Sequence, residues 1–230
     1  MKTTKEFYDN LSSSYSEAII RCVPRYEEML KMLFAYLPDD FQPENILELG
    51  SGTGNLTELI ARTFPRSRII AVDISDQCLQ ECRKRMKGSN VEFIAIDFMD
   101  IVFPEESFDL IMSSISIHHL PDENKRKLFE SIYDWLTGGG ILSFLDQFRG
   151  ETGGLYRRHI DFWKEYALGN GVAPDEWERW MEHQRDNDHH SPLRIHLRWL
   201  EEVGFRRPDC LWRYLLWSVV NARKEQRIQL

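Results

Sequence analysis

The chain has 230 residues, 42% of them hydrophobic and 29% charged, with a formal net charge of -8. This predicts one globular domain with a decorated core; the acidity argues against a general nucleic-acid-binding face, and no apolar run reaches the ~18 residues of a membrane span. Residues 1 to 18 do not read as a secretory leader, and Cys22, Cys78, Cys82 and Cys210 lack paired metal spacing, which predicts reduced thiols in a cytoplasmic protein.

Residues 5 to 37 carry apolar positions at helical spacing, with Pro24 predicting two helices or a kinked one. Residues 38–43 are a connector. Strands at 45–50, 68–73, 91–96, 108–113 and 140–146 then alternate with helices at 55–64, 76–86 and 122–136, a pattern that predicts a parallel sheet covered on both faces. Gly138 to Gly140 reads as the break before the fifth strand. A helix over 194–203 stops at Gly204, and Asp209–Tyr214 and Leu216–Asn221 can pair as a hairpin. The intervening stretch 149–193 is rich in Trp, Tyr, His, Arg and acids. Ligands of parallel α/β sheets bind outside the carboxyl ends of the strands, where this stretch and the N-terminal helices can roof a site.

The segment Asn45–Ile60 is the most telling. Ile46, Leu47 and Leu49 predict a buried strand, Gly50, Gly52 and Gly54 a tight turn, and Leu56, Leu59 and Ile60 the start of a helix. Glycines suit such a turn because some positions need positive φ and others let a ligand approach the backbone. The helix behind it presents free N–H groups and a positive dipole end. Alone, the turn fits a dinucleotide, a mononucleotide or nothing. Glu48 sits within the strand's end, where a buried carboxylate needs a donor. Asp73 ends the second strand nineteen residues after Gly54, the spacing at which an acid accepts from ribose hydroxyls; it can also cap a helix beside Ser75. Asp97 ends the third strand, where it can accept from an exocyclic amine or stand as a loop acid.

Taken in order, Glu48-Leu-Gly-Ser-Gly-Thr-Gly54, Val72-Asp-Ile-Ser75, Asp97-Phe98, Phe108–Ser113 and Leu136–Ile141 resemble the class I S-adenosylmethionine-dependent methyltransferases. The resemblance is detailed over residues 40 to 148 and looser over 194 to 225. It implies an α/β fold, a Rossmann-like seven-stranded, mostly parallel sheet sandwiched by helices. It implies a single domain over 1–230, with an N-terminal helical cap over 1–40 and a helical lid over 149–193. The implied cofactor is S-adenosylmethionine, placed among Glu48, Gly50, Gly52, Gly54, Asp73, Asp97 and Ser113, with Ile74 and Phe98 flanking the purine or packing in the core. Tyr15 and Arg21 resemble residues that cover the methionine end of the cofactor in similar proteins. The segment Arg21-Cys-Val-Pro-Arg-Tyr26 is similar to the Arg-Ser-x-Pro-Gly-Tyr segment of the enzyme that makes carboxy-S-adenosylmethionine for tRNA wobble-uridine modification. It departs at Arg25, where that family has Gly; Arg179, Arg185 and Arg194 are equal candidates for that family's lid arginine.

The fourth strand ends in Ser113-Ser-Ile-Ser-Ile-His-His-Leu120, at the strand end that faces the sulfonium in this fold class. His118 or His119 can take a proton from a nucleophile or cap the next segment; Asp146 can order a substrate or bond a backbone amide. Tyr156, Arg157, Trp163, His189 and His190 are candidate substrate contacts, although Trp163, Trp177 and Trp180 can equally bury the lid. His183, Asp186, Asp188, His189 and His190 have metal-ligand chemistry, but their spacing repeats no known pattern, so a polar rim and no metal are expected. The expected activity is methyl transfer to a small molecule, with the lid arginines suited to one bearing a carboxylate, with no nucleic-acid or membrane partner and no indication of oligomeric state. The alternatives are carboxy-S-adenosylmethionine synthesis or cyclisation on the same cofactor, or a non-catalytic module that binds it.

Overall fold

The computed structural model describes residues 3–226. Seven strands form one sheet: β1 (Asn45–Leu49), β2 (Arg68–Asp73), β3 (Val91–Ala95), β4 (Phe108–Ser114), β5 (Leu136–Gln147), β6 (Arg206–Tyr214) and β7 (Trp217–Arg223), in the order β3-β2-β1-β4-β5-β7-β6. The first five run parallel, and β7 is antiparallel to both β5 and β6. The expected mostly parallel seven-stranded sheet is therefore present.

Side chains alternate across the central strands, as a pleated backbone requires. Ile46, Leu110 and Met112 face one layer; Leu47, Leu49 and Ile111 face the other. The first layer is built by α3 (Tyr26–Ala35) and α4 (Asn55–Thr63) through Leu33 and Ile60, the second by α6 (Asp122–Trp135) and α9 (Leu193–Val203) through Phe129, Ile132 and Leu200. The helix α5 (Asp76–Arg85) begins with Ser75 Oγ accepting from Cys78 N at 3.0 Å, an N-cap.

Two sequence expectations are corrected. The N-terminal region forms three helices, α1 (Thr4–Leu11), α2 (Tyr15–Cys22) and α3. Pro24 accounts for one break; the other falls at Ser12–Ser14, where Ser12 Oγ donates to Asp9 O and Ser14 Oγ to Leu11 O, in competition with the helix ladder. The strand β5 starts at Leu136 rather than after the glycines, because Gly139 N donates to Lys224 O and Lys224 N to Gly140 O, carrying the pairing with the β7 side through that run.

The stretch 149–193 contains α7 (Gly153–Gly169) and α8 (Pro174–Asn187). Both are fastened through Trp163. Its indole is 3% exposed, meets Trp177 of α8 and Trp217 of β7 edge-on at 5.0 Å each, and donates from Nε1 to Cys22 O of α2 at 2.8 Å. Trp163 is thus a core residue, not the expected substrate contact. Trp163→Ala removes the shared packing of four elements and is expected to cost about 3–5 kcal/mol, read as a shift in urea unfolding; a loss below ~1 kcal/mol would contradict this account.

Candidate functional site

A cavity of about 580 Å³ opens beyond the carboxyl ends of β1 to β4. Its floor is the glycine turn. Gly50 N and Ser51 N both donate to Val72 O, at 2.8 and 3.0 Å, and Gly52 N donates to Asp73 Oδ2 at 2.7 Å. Gly50 (φ 72°) has no room for a side chain, since a Cβ would fall 1.9 Å from Ser116 Oγ. Gly52 (φ 53°) differs: a Cβ there meets no protein atom within 4 Å, so its surface is left open within the cavity wall. Gly54 starts α4 and does not line the cavity; it passes Cys82, whose Sγ would lie 2.6 Å from its Cβ.

Three acids line this space. Glu48 is 1% exposed; the Thr57 hydroxyl bonds its carboxyl group, while Oε2 has no hydrogen-bond partner among the described residues. Burial pushes this carboxyl up to about 8. The carboxylate of Asp73 accepts from Ser75 N at 2.8 Å as well as from Gly52 N, and burial raises it too. Asp73 thus holds the turn through side chain to backbone bonds, and the cap of α5 falls to Ser75. Asp97 lies two residues past the end of β3 and accepts from Met99 N at 2.9 Å. Ile74 and Phe98 stand beside these acids in the wall, Ile74 39% exposed.

The roof comes from the ends of the chain's two helical additions. Lys5 and Tyr8 of α1, Tyr15 of α2 and Asn187 of α8 line the cavity. The additions touch directly: Phe7 stacks on His183 with centroids 3.9 Å apart and meets Trp180 edge-on at 5.4 Å. A hydrogen bond of 2.5 Å from Ser75 Oγ to Asp9 Oδ1 ties α1 to the end of β2.

At one wall, His119 bonds Tyr8 OH through Nε2 (3.2 Å) and Asp188 Oδ1 through Nδ1 (2.8 Å). Behind it, His118 is 2% exposed and outside the cavity lining; its backbone N and Nδ1 both meet Asp146, at 2.9 and 2.5 Å. Burial and the His119 charge lower His118, against the pull of Asp146 and Asp188. Burial works to raise Asp188, yet the charge of His118 and the bond from His119 hold it well below the usual carboxylate range. The polar rim expected at 183–190 is instead an inner cluster: the side chains of His183, Asp188 and His190 are 5%, 5% and 4% exposed. Of the five ligand-type residues there, Asp186 and His189 are exposed, and His189 contributes its backbone, donating to His118 O at 2.8 Å.

Several candidates stand away from the cavity. Arg21 pairs with Glu176 at 3.2 Å on the outside. Ser113 is buried and donates to Leu49 O, leaving the cavity edge to Ser114. Tyr156 bonds His190 Nδ1 (2.8 Å) and Gln184, and Arg157 is exposed. The three lid arginines do not line it either: Arg179 pairs with Asp175, Arg194 with Glu151, and Arg185 is exposed. Sequence reasoning missed Tyr8, Tyr26, Asn55 and Asn187 in the lining; the one available signal was Tyr8 lying seven residues before Tyr15, on one helical face had the helix been continuous.

Residues 46–140 match a family model described as a methyltransferase domain. Carboxy-S-adenosyl-L-methionine synthase of Aeromonas hydrophila is 25% identical over 213 residues, covering 90% of this chain and 84% of its own. The enzyme of that name from Helicobacter hepaticus is 22% identical over 227 residues, covering 95% and 94%. Among solved structures, the N-methyltransferase NodS of Bradyrhizobium japonicum, in complex with S-adenosyl-L-homocysteine, has a TM-score of 0.70 at 17% identity, covering 97% of this chain and 99% of that one. Phosphoethanolamine N-methyltransferase 2 of Haemonchus contortus, in complex with S-adenosyl-L-methionine, has a TM-score of 0.70 at 16% identity, covering 98% and 61%. Among the described residues no helix is long and apolar enough to cross a membrane.

The Glu48 carboxyl carries a pH signature. It titrates near 4.5 when free and near 8 in the fold. A group held protonated by folding contributes stability that is complete below about 4.5 and is lost as pH rises through about 8. Glu48→Gln is therefore expected to flatten the decline of stability across this window in ligand-free protein, measured by urea unfolding at stepped pH. Parallel curves for the two proteins would contradict the raised carboxyl.

Proposed function

Because the chain belongs to the class I S-adenosylmethionine-dependent methyltransferase family and is an enzyme of that cofactor, we propose that it transfers a methyl group to a small-molecule acceptor held beneath the roof of α1, α2 and α8. The observation that carries the reading is the single cavity that gathers Glu48, Asp73 and Asp97 beside the open face of Gly52, with Tyr8 and His119 at its far wall. The residues fit the cofactor. The unpartnered Glu48 Oε2 suits an ammonium donor. Asp73 keeps lone pairs for ribose hydroxyls, and Ile74 and Phe98 offer apolar faces near Asp97. S-Adenosylmethionine supplies a methyl group on a sulfonium, an activated leaving group.

The chain's part is then placement. Asp188 fixes one nitrogen of His119 and leaves the other to Tyr8, so this pair presents an oriented polar edge for the acceptor. The roof excludes water, and in-line positioning supplies most of the rate. Among the described residues that line the cavity, Lys5 is the one lysine or arginine, and it is paired with Asp9 at 2.7 Å. The arginines that suggested a carboxylate-bearing acceptor thus give that class no support.

Carboxy-S-adenosylmethionine synthesis is the second reading, favoured by similarity to the named synthases over nearly the whole chain. Arg25 adds to it: it adopts φ 58°, a left-handed conformation natural to the Gly of the resembled segment. Against it, no arginine among the described residues lines the cavity. Incubation with labelled cofactor and fractionated small molecules separates the two: label in an acceptor supports methyl transfer, whereas carboxylated cofactor formed when prephenate is supplied, without methylated product, overturns it.

Two variants probe the assignments. Asp73→Ala is expected to weaken S-adenosylhomocysteine by roughly 2–4 kcal/mol in calorimetry; a change under ~0.5 kcal/mol would leave Asp73 with its turn-holding role alone. His119→Ala is expected to lower kcat about 10²-fold by freeing the acceptor, with cofactor affinity nearly unchanged. Equal kcat in this variant would remove His119 from the acceptor wall.

A further inference from the structure

Asp188 is the meeting point of four imidazoles. Its Oδ1 lies 2.8 Å from His119 Nδ1, 3.6 Å from His118 Nε2 and 3.9 Å from His183 Nε2, and its Oδ2 lies 3.5 Å from His190 Nε2. The ligand atoms of His118, His119 and Asp188 all fall within 4.8 Å of one another. Metal–ligand bonds of about 2.0–2.2 Å place tetrahedral donors about 3.4 Å apart, and the separations around Asp188 bracket that value. Among the described residues the buried Nε2 atoms of His183 and His190 have no hydrogen-bond partner, although both face this carboxylate. A crevice of about 20 Å³, lined by His118, His183, Asp188, Tyr8 and Gln184 among others, reaches the cluster, room for one small ion or water.

The outer ring nitrogens are already held. Asp146 takes His118 Nδ1, Tyr8 takes His119 Nε2 and Tyr156 takes His190 Nδ1. That leaves the other nitrogen of each ring directed inward, the arrangement that orients metal-bound histidines. The loop carrying Asp188 and His190 is anchored on both sides: His189 N donates to His118 O, the buried Lys125 donates to His189 O, Arg149 N donates to Ser191 O, and Ser191 Oγ donates to Asp122.

We infer that His118, His119 and Asp188 form a binding site for a divalent transition-metal ion, with His183 and His190 closing the remaining sides. Imidazoles with one carboxylate suit zinc, manganese or iron(II). His119 belongs both to this site and to the cavity wall, so the ion would lie at the acceptor end and could hold an anionic acceptor oxygen where the arginines do not.

The test uses the full chain after chelator treatment, titrated with cobalt(II) and zinc(II) by visible spectroscopy and calorimetry, with S-adenosylhomocysteine affinity and thermal melts as checks of folding. About one ion per chain is expected, with cobalt absorption reporting nitrogen and oxygen ligands. Asp188→Ala abolishes binding and His190→Ala weakens it. Asp146→Asn and Tyr156→Phe, which leave the ligands in place, weaken it roughly 10–100-fold, and these milder variants decide the matter if Asp188→Ala does not fold. His189→Ala binds as the parent does. No saturable binding to the parent, or affinity unchanged in His190→Ala and Tyr156→Phe, overturns the site. The readout is metal binding itself, so it stands apart from whether methyl transfer is observed.

Discussion

The structure rests on the join between the glycine turn and the end of β2. One carbonyl, Val72 O, receives both Gly50 N and Ser51 N, and one carboxylate, Asp73, receives Gly52 N and Ser75 N. These bonds fix a backbone that would otherwise leave several buried donors unsatisfied. They also set the spacing between the first two strand ends, which is the width of the cavity floor. From Ser75 the chain of contacts continues to Asp9, so the position of α1 in the roof follows from the same join. Glu48 can remain buried with an unbonded oxygen only because the turn beside it is held rigidly in place.

A second set of contacts closes the opposite side. Trp163 brings α7, α8, α2 and β7 to one point, and that packing carries α8 to the position where His183 meets Phe7. The histidine cluster is then assembled from three distant stretches: the 3-10 turn Ile117–His119 after β4, Asp146 on β5, and the loop following α8. Each stretch supplies an incomplete set. The convergence is enforced by backbone bonds such as His189 N to His118 O, which do not depend on the side chains they bring together.

Periodicity and glycine punctuation were enough to read the central sheet, since Ile46, Leu47 and Leu49 alternate between two apolar layers and the glycines fall where positive φ is required. The acids Glu48, Asp73 and Asp97 were legible because their place at strand ends is a matter of local spacing, and all three line the cavity. The lid was legible only as composition. Whether an arginine there faces inward depends on helix packing, and Arg157, Arg185 and Arg194 all point their charge outward or into surface pairs. The inner histidines were singled out by residue type, but their convergence was not legible: residues 118–119 and 183–190 share no linear pattern, and only the pinned loop places them around one carboxylate. The second break in the N-terminal helices was missed because three consecutive serines look neutral in an apolar pattern while their hydroxyls compete for carbonyls.

The contact between the two roof elements is aromatic. Phe7 lies on His183 and against Trp180, and Tyr8 meets His183 edge-on at 5.5 Å. Burial lowers His183 to about 4, so near neutral pH the stack is between uncharged rings. Added salt, with a screening length of about 10 Å at 0.1 M, weakens solvent-exposed ion pairs, but it has little charge to screen here. The surface pairs around the roof, such as Lys5 with Asp9 and Arg21 with Glu176, loosen as ionic strength rises, while the join of α1 to α8 does not. Parting these helices is governed by apolar contact, and hence by temperature and by agents that solvate aromatic surface.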